Sequence, residues 1–119
     1  MLGKARIRVF PYKNPTNIPT DTYTKWFDYD RIQSVVFRTR QSSDVIAIEQ
    51  GGELHNKLLS KYMTEEKIPV FDRDRLYILA DGDQVIWIPG YRMSGAYKVS
   101  ETTRNILAIN ISDGGNVNG

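Results

Sequence analysis

The sequence predicts a small α+β domain rich in β-strands, with six or seven strands and one main helix. Short runs of β-branched and aromatic residues recur along the chain and are separated by turn residues. Only residues 53–66 space their apolar side chains as a long amphipathic helix does. The strands follow one another instead of alternating with helices, which is typical of α+β folds and not of βαβ repeats.

Seven segments have the composition or the alternation of strands. Residues 34–40 place Arg38 and Arg40 on one face, because alternate residues of a strand point the same way. An Asp-Gly turn at residues 81–83 predicts a hairpin between the two flanking strands. The predicted strands are residues 4–10, 22–27, 34–40, 45–48, 76–80, 84–88 and 105–111.

The predicted helix over residues 53–66 follows Gly51-Gly52. Lys57 and Lys61 are four residues apart and are therefore expected side by side on its surface. Pro69 cannot continue the helix. The apolar stripe of this predicted helix consists of Leu54, Leu58, Leu59, Tyr62 and Met63.

The length of 119 residues fits one globular domain with flanking segments. Residues 1–21 read as an N-terminal strand and a proline-rich connecting loop. Residues 22–111 form the predicted domain. Residues 112–119 read as a disordered tail.

Composition excludes several classes of function. The chain has no cysteine and one histidine, which argues against disulfides and zinc sites and fits a cytoplasmic location. No apolar run is long enough to span a membrane, and the N-terminal residues lack a secretory signal. The net charge of +2 is only mildly basic, so RNA binding would depend on how the cations are arranged.

Three stretches carry motifs in a fixed order. They are TKWFDYD with VVFRTRQSSD within residues 24–44, KLLSKYMTEEKIP with RDRLYILADGD within 57–83, and VIWIPGYRMSGAYKVSETT at 85–103. Over residues 20–111 they resemble the C-terminal domain of tRNA(Ile)-lysidine synthase. That family has an Ile-Arg-Thr-Arg strand ending in Pro-Gly-Asp, a lysine-rich helix leading into Lys-Ile-Pro, and Trp-Val-Pro-Gly before an arginine.

The chain departs from the family pattern at a few positions. Ser42-Ser43 replaces Pro-Gly before Asp44, and Gly95 stands where an acidic residue is usual. Leu58 and Ser60 stand where lysines are frequent, so the predicted helix is less basic than in the family.

The resemblance implies a module similar to one in the phenylalanyl-tRNA synthetase β-chain, which helps to hold the tRNA body. In the family, a separate N-terminal PP-loop domain uses ATP, Mg²⁺ and lysine to convert the wobble cytidine of tRNA(Ile) to lysidine. Its Ser-Gly-Gly-x-Asp-Ser signature does not occur here. The chain alone is therefore predicted to be no enzyme and to hold no cofactor. The expected partners are tRNA(Ile) and the catalytic domain, with no membrane.

Seven cations are the predicted contacts with RNA. Arginine forks suit bidentate phosphate contacts, and lysine ammonium groups follow a phosphate backbone without reading sequence. Arg92 matches the arginine that follows Pro-Gly in the family. The predicted site residues are Arg38, Arg40, Lys57, Lys61, Lys67, Arg73 and Arg92.

Each candidate has a structural alternative. The strand arginines fit a solvated sheet face with local ion pairs, and the lysines have Glu53, Glu65 and Glu66 nearby. Core packing is favoured over base stacking for the aromatic residues, and the aspartates fit turns better than a metal site. At the level of the whole chain, the alternative is a structural or homodimerisation domain that packs on the catalytic domain with little RNA contact. The candidates weighed in this way also include Arg6, Arg8, Arg75, Lys98, Trp26, Phe27, Trp87, Tyr91, Asp72, Asp74, Asp81, Asp83 and His55.

Overall fold

The computed structural model describes residues 4–12, 18 and 23–112. It is a sheet-rich α+β structure, which confirms the predicted fold class. The chain divides into two compact units. The terminal unit combines the N-terminal part of the chain up to Ile32 with the part from Tyr97 onward, and the central unit is Gln33–Ala96.

Nine strands and two short α-helices occur in the described part of the chain. The strands are β1 Lys4–Pro11, β2 Thr24–Asp28, β3 Val36–Arg38, β4 Val45–Gln50, β5 Glu53–Leu58, β6 Ile78–Asp81, β7 Gln84–Ile88, β8 Arg92–Met93 and β9 Asn105–Ser112. The helices are α1 Leu59–Glu65 and α2 Val70–Arg73. Among the described residues, no helix has the length and apolar character needed to cross a membrane.

The terminal unit contains an antiparallel sheet in the order β1-β9-β2. β9 is its central strand, and Ile106, Leu107 and Ile109 on it are buried. β1 pairs with β9 along its whole length, so both strands belong to one sheet. The boundary at residue 21 stays a prediction, and most of the predicted loop and tail lie outside the described residues.

A carboxylate fixes the start of β9. Asp30 lies in a 3₁₀ turn and accepts hydrogen bonds from the backbone N–H of Arg104 at 2.8 Å and from the Asn105 side chain at 3.0 Å. The bond from Asn105, followed by that from Arg104, lowers the pKa of Asp30 below its ordinary value, because both favour the ionised form.

The central unit contains a mixed sheet in the order β3-β6-β7-β4-β5, with β8 paired to β7. The β4–β7 pair is parallel and the other pairs are antiparallel. The predicted hairpin at residues 81–83 is confirmed as the β6–β7 connection. The helix α1 packs its buried side into one apolar cluster, which comprises Ile46, Ile48, Leu59, Tyr62, Met63, Ile68, Ile78, Ala80, Val85 and Ile88.

The predicted helix over residues 53–66 is wrong in its first half. Residues Glu53–Leu58 form β5, and only Leu59–Glu65 are helical. Gly51 and Gly52 have φ angles of 60° and 82°, which allow the two-residue turn of a β4–β5 hairpin. Leu54 and Leu58 mimic helical spacing, yet each is 51% exposed on the edge strand.

The C-terminus of α1 forms a Schellman motif. The Ile68 N–H donates to the Met63 carbonyl at 3.0 Å, and the Lys67 N–H donates to the Thr64 carbonyl at 3.1 Å. Ile68 and Met63 are both buried, which supplies the apolar contact typical of this motif. Lys67 has a φ of 58°, a left-handed conformation that glycine usually supplies.

We predict that Lys67→Gly raises the free energy of unfolding by about 0.5–1 kcal/mol. Glycine removes the left-handed strain, and the greater freedom of the unfolded chain offsets part of the gain. Urea denaturation measures the difference. Lys61→Gly is the matched control, since Lys61 lies within α1 and its replacement should cost about 1 kcal/mol. Destabilisation of similar size in both variants would contradict the prediction.

Candidate nucleic-acid interface

Arg38 forms a bidentate ion pair with Asp44. Its Nη1 and Nη2 atoms donate to the two carboxylate oxygens at 2.9 and 2.8 Å. The same nitrogens donate to the carbonyls of Thr39 and Gly82 at 3.0 and 2.7 Å. The Arg38 side chain is only 18% exposed and that of Asp44 is fully buried. The guanidinium therefore has little capacity left for a phosphate.

Asp44 also organises the backbone around it. Its carboxylate accepts the Gln41 N–H at 2.7 Å, and its carbonyl accepts the Leu59 N–H, at the first residue of α1, at 2.9 Å. The hydrogen bonds to Asp44 raise the pKa of Arg38 above its usual range, because they favour the charged guanidinium. The structural alternative for Arg38, a solvated sheet face with local ion pairs, fits in its ion pair but not in its exposure: the half-buried side chain joins β3 to the loop that leads into β4.

The two lysines predicted on one helix lie on different elements. Lys57 belongs to β5 and Lys61 to α1, so their expected helical spacing is wrong. Glu65 nevertheless brings them together, because Lys57 donates a short hydrogen bond to its carboxylate and Lys61 acts on it electrostatically. The bond from Lys57, followed by the nearby ammonium charges, lowers the pKa of Glu65.

Two arginines from other segments contact α1. The Arg40 Nε donates to Asp74 at 2.8 Å, and its Nη1 lies 3.7 Å from the Met63 sulfur. The Arg73 Nε donates to the Ile68 carbonyl at 2.8 Å, and its Nη1 lies 3.2 Å from the Thr64 hydroxyl oxygen. Arg73 thereby links α2 to the end of α1.

The last two predicted site residues also lie near α1. Lys67 is exposed directly after its C-terminus. Arg92, exposed on β8, follows a tight turn at Pro89-Gly90 in which the Tyr91 N–H donates to the Ile88 carbonyl at 2.8 Å. Burial raises the pKa of Tyr62 on α1, and the charge of Arg92 partly opposes that rise.

Six of the seven predicted site residues therefore surround α1, and the seventh supports its first residue through Asp44. We call the six the α1 basic set; they are Arg40, Lys57, Lys61, Lys67, Arg73 and Arg92. The role of Asp44, which holds Arg38 and the first residue of α1, was not predicted from the sequence. The signal was present, because Asp44 occupies the position of the acidic residue that ends the family's Pro-Gly-Asp motif.

Most of the other candidates have structural roles. Phe27 and Trp87 are buried, which confirms core packing at these two positions, whereas Tyr91 is 46% exposed and lies outside the core. Asp81 accepts the backbone N–H groups of Gln33 and Ser34 at 2.9 and 3.3 Å, as a turn-stabilising residue does. His55 is exposed on β5. Within the described residues, no three acidic or histidine side chains are arranged to hold a metal ion.

The fold matches that of a known C-terminal domain. A crystal structure titled as the TilS C-terminal domain matches with a TM-score of 0.64 and 23% sequence identity, covering 92% of this chain and 85% of that one. The family model described as the TilS substrate C-terminal domain matches residues 35–110. The chain belongs to this family, and the resemblance seen in its motifs is confirmed.

Curated relatives carry the name tRNA(Ile)-lysidine synthase. The protein of Caldanaerobacter subterraneus subsp. tengcongensis is 32% identical over 109 residues, which cover 91% of this chain and 23% of the relative. The protein of Clostridium tetani is 36% identical over 92 residues, which cover 76% of this chain and 19% of the relative. The chain thus spans less than a quarter of the length of these relatives.

We predict that Arg38→Ala lowers the free energy of unfolding by about 3 kcal/mol, because it leaves the buried Asp44 carboxylate without its charged partner. Arg40→Ala is the matched control. It removes an ion pair whose acidic partner Asp74 is 79% exposed, and it should cost less than about 1 kcal/mol. Chemical denaturation compares the two variants, and equal losses would contradict the assignment.

Proposed function

We propose that this chain is a non-catalytic tRNA-binding domain of a tRNA(Ile)-lysidine synthase. It holds the tRNA body while a separate ATP-dependent PP-loop domain attaches lysine to the wobble cytidine of tRNA(Ile). The parent enzyme is then a cytoplasmic ligase that uses ATP, Mg²⁺ and lysine, and this chain contributes binding and no chemistry. Membership of the TilS substrate C-terminal domain family and the names of the relatives support the proposal.

The observation that carries the proposal is the arrangement of cations around α1. Lys57 on β5 and Arg92 on β8 lie far apart in sequence, yet both act electrostatically on residues of α1, which itself carries Lys61. Glu65 and Asp74 pair with Lys57 and Arg40, so the positive charge that this surface offers depends on the cations that are left unpaired. Such a surface attracts a phosphate backbone without reading base sequence.

The α1 basic set is not uniform. Arg73 donates to groups at the end of α1, and Arg40 is paired with Asp74, so these two mainly hold the surface in shape. Lys61, Lys67 and Arg92 are exposed, and no hydrogen bond from any of these side chains to another described residue occurs. These three are therefore the strongest candidates for direct phosphate contacts.

A second candidate function is a structural or homodimerisation domain with little RNA contact. The observation that favours it is β1, a sheet edge on which Ile7 and Val9 are both exposed. Exposed edges of this kind readily pair with another strand. Sedimentation separates the two proposals, since a stable dimer that ignores tRNA would favour this alternative.

We predict that Lys61→Ala and Arg92→Ala each weaken binding of a tRNA(Ile) transcript to the chain. Each should also lower the slope of log Kd against log salt concentration by about one, because one phosphate contact is lost. Filter binding at several salt concentrations measures both quantities, and thermal melts verify that the variants are folded.

Arg104→Ala is the control for net charge. Arg104 is exposed in the terminal unit and lies outside the α1 basic set. Its loss should leave the slope nearly unchanged. If all three variants lowered the affinity and the slope by the same amount, the effect would come from net charge alone. That result would contradict an interface at α1. Absence of binding at low salt would contradict the proposed function as a whole.

A further inference from the structure

Phe71 is an aromatic side chain that the fold leaves in solvent. It lies on α2 and is 71% exposed, more than the other exposed aromatic residues of the central unit, Tyr77 at 44% and Tyr91 at 46%. The Arg75 guanidinium carbon lies over its ring, 4.1 Å from the centroid. This distance is typical of a close cation–π contact. The pair therefore presents a flat, positively polarised stack at the surface.

Backbone hydrogen bonds hold the segment of residues 69–76, which carries Phe71 and Arg75, in a defined conformation. The Asp72 N–H donates to the Pro69 carbonyl at 2.8 Å, and the Arg75 and Leu76 N–H groups donate to the Asp72 carbonyl at 2.9 and 3.0 Å. Arg73, between the two stacked residues, is anchored to the Ile68 carbonyl. Leu76 packs against the apolar core of the central unit. The exposure of Phe71 is therefore built into an ordered segment.

The charges next to the stack do not form a phosphate site. Asp72 and Asp74 alternate in sequence with Arg73 and Arg75, and Asp74 is paired with Arg40. What distinguishes the position is its aromatic surface together with a guanidinium whose N–H donors make no hydrogen bond to another described residue. Aromatic rings and arginine planes are the groups on which unpaired nucleobases stack.

We infer that Phe71 and Arg75 form a stacking site for an unpaired base of the bound RNA, next to the α1 basic set. This inference rests on the proposed function, since it adds a base contact to a surface that binds phosphates. Phe71 supplies the stacking surface. Arg75 orients the ring from one side and directs its N–H groups toward the edge of the base.

The size of the patch favours a base over a protein partner. Val70 and Phe71 are the large apolar residues exposed on α2, at 74% and 71%, and charged residues follow them at once. A stable protein interface buries about 800 Å² on each partner around an apolar centre. A single aromatic ring with a cation on one face has the size to stack on one base, and every base has a π-face for such stacking.

The test uses two RNA hairpins with the same stem, one blunt and one with a short unpaired 3′ overhang carrying 2-aminopurine. We predict that Phe71→Ala raises Kd about tenfold for the overhang hairpin and leaves Kd for the blunt hairpin unchanged. The 2-aminopurine fluorescence is quenched on binding to the original chain and not to this variant. Phe71→Trp retains both the affinity and the quenching.

Val70→Ala is the matched control, because Val70 is an equally exposed neighbour on the same helix. It should change neither Kd nor the quenching. Equal Kd changes for both hairpins in Phe71→Ala, or the same loss in Val70→Ala, would overturn the stacking site while leaving RNA binding intact. If the original chain bound neither hairpin, both the stacking site and the proposed function would be overturned.

Discussion

The central unit depends on one buried ion pair, between Arg38 on β3 and Asp44 before β4. Both charges are withdrawn from water, and each is nearly saturated by hydrogen bonds within the chain. A buried carboxylate is costly without such partners. The pair therefore fixes the path of residues 39–44, and the Asp44 carbonyl in turn receives the first N–H of α1.

The position of α1 has a consequence for function. Cations from β5, α2, β8 and the loop after β3 converge on this helix, although α1 itself carries Lys61 as its one basic residue. Lysine-rich helices of the family concentrate charge within one element. In this chain the positive charges around α1 come from several elements. The Schellman motif at Lys67 determines where the helix ends. The grouping of cations around α1 is therefore a product of tertiary structure.

Sequence reasoning succeeded where a local pattern determines the structure. The turn at residues 81–83, the strands β7 and β9, and the burial of Trp87 all follow from local composition and alternation. It failed at residues 53–58, because Leu54 and Leu58 have helical spacing while the Gly51-Gly52 turn and pairing with β4 determine a strand. The partners of Arg38 were also not predictable, since Gly82 lies 44 residues away.

Some of the predicted cations are already paired within the fold, as Arg38 is, and others, as Lys61 and Arg92 are, remain exposed. NMR of the isotope-labelled chain during titration with tRNA(Ile) distinguishes the two groups. We expect the Lys61 amide and the Arg92 side-chain signals to shift, while the Arg38 guanidinium signals stay fixed and protected from solvent exchange. Large shifts of the Arg38 guanidinium with an unperturbed α1 would contradict the account.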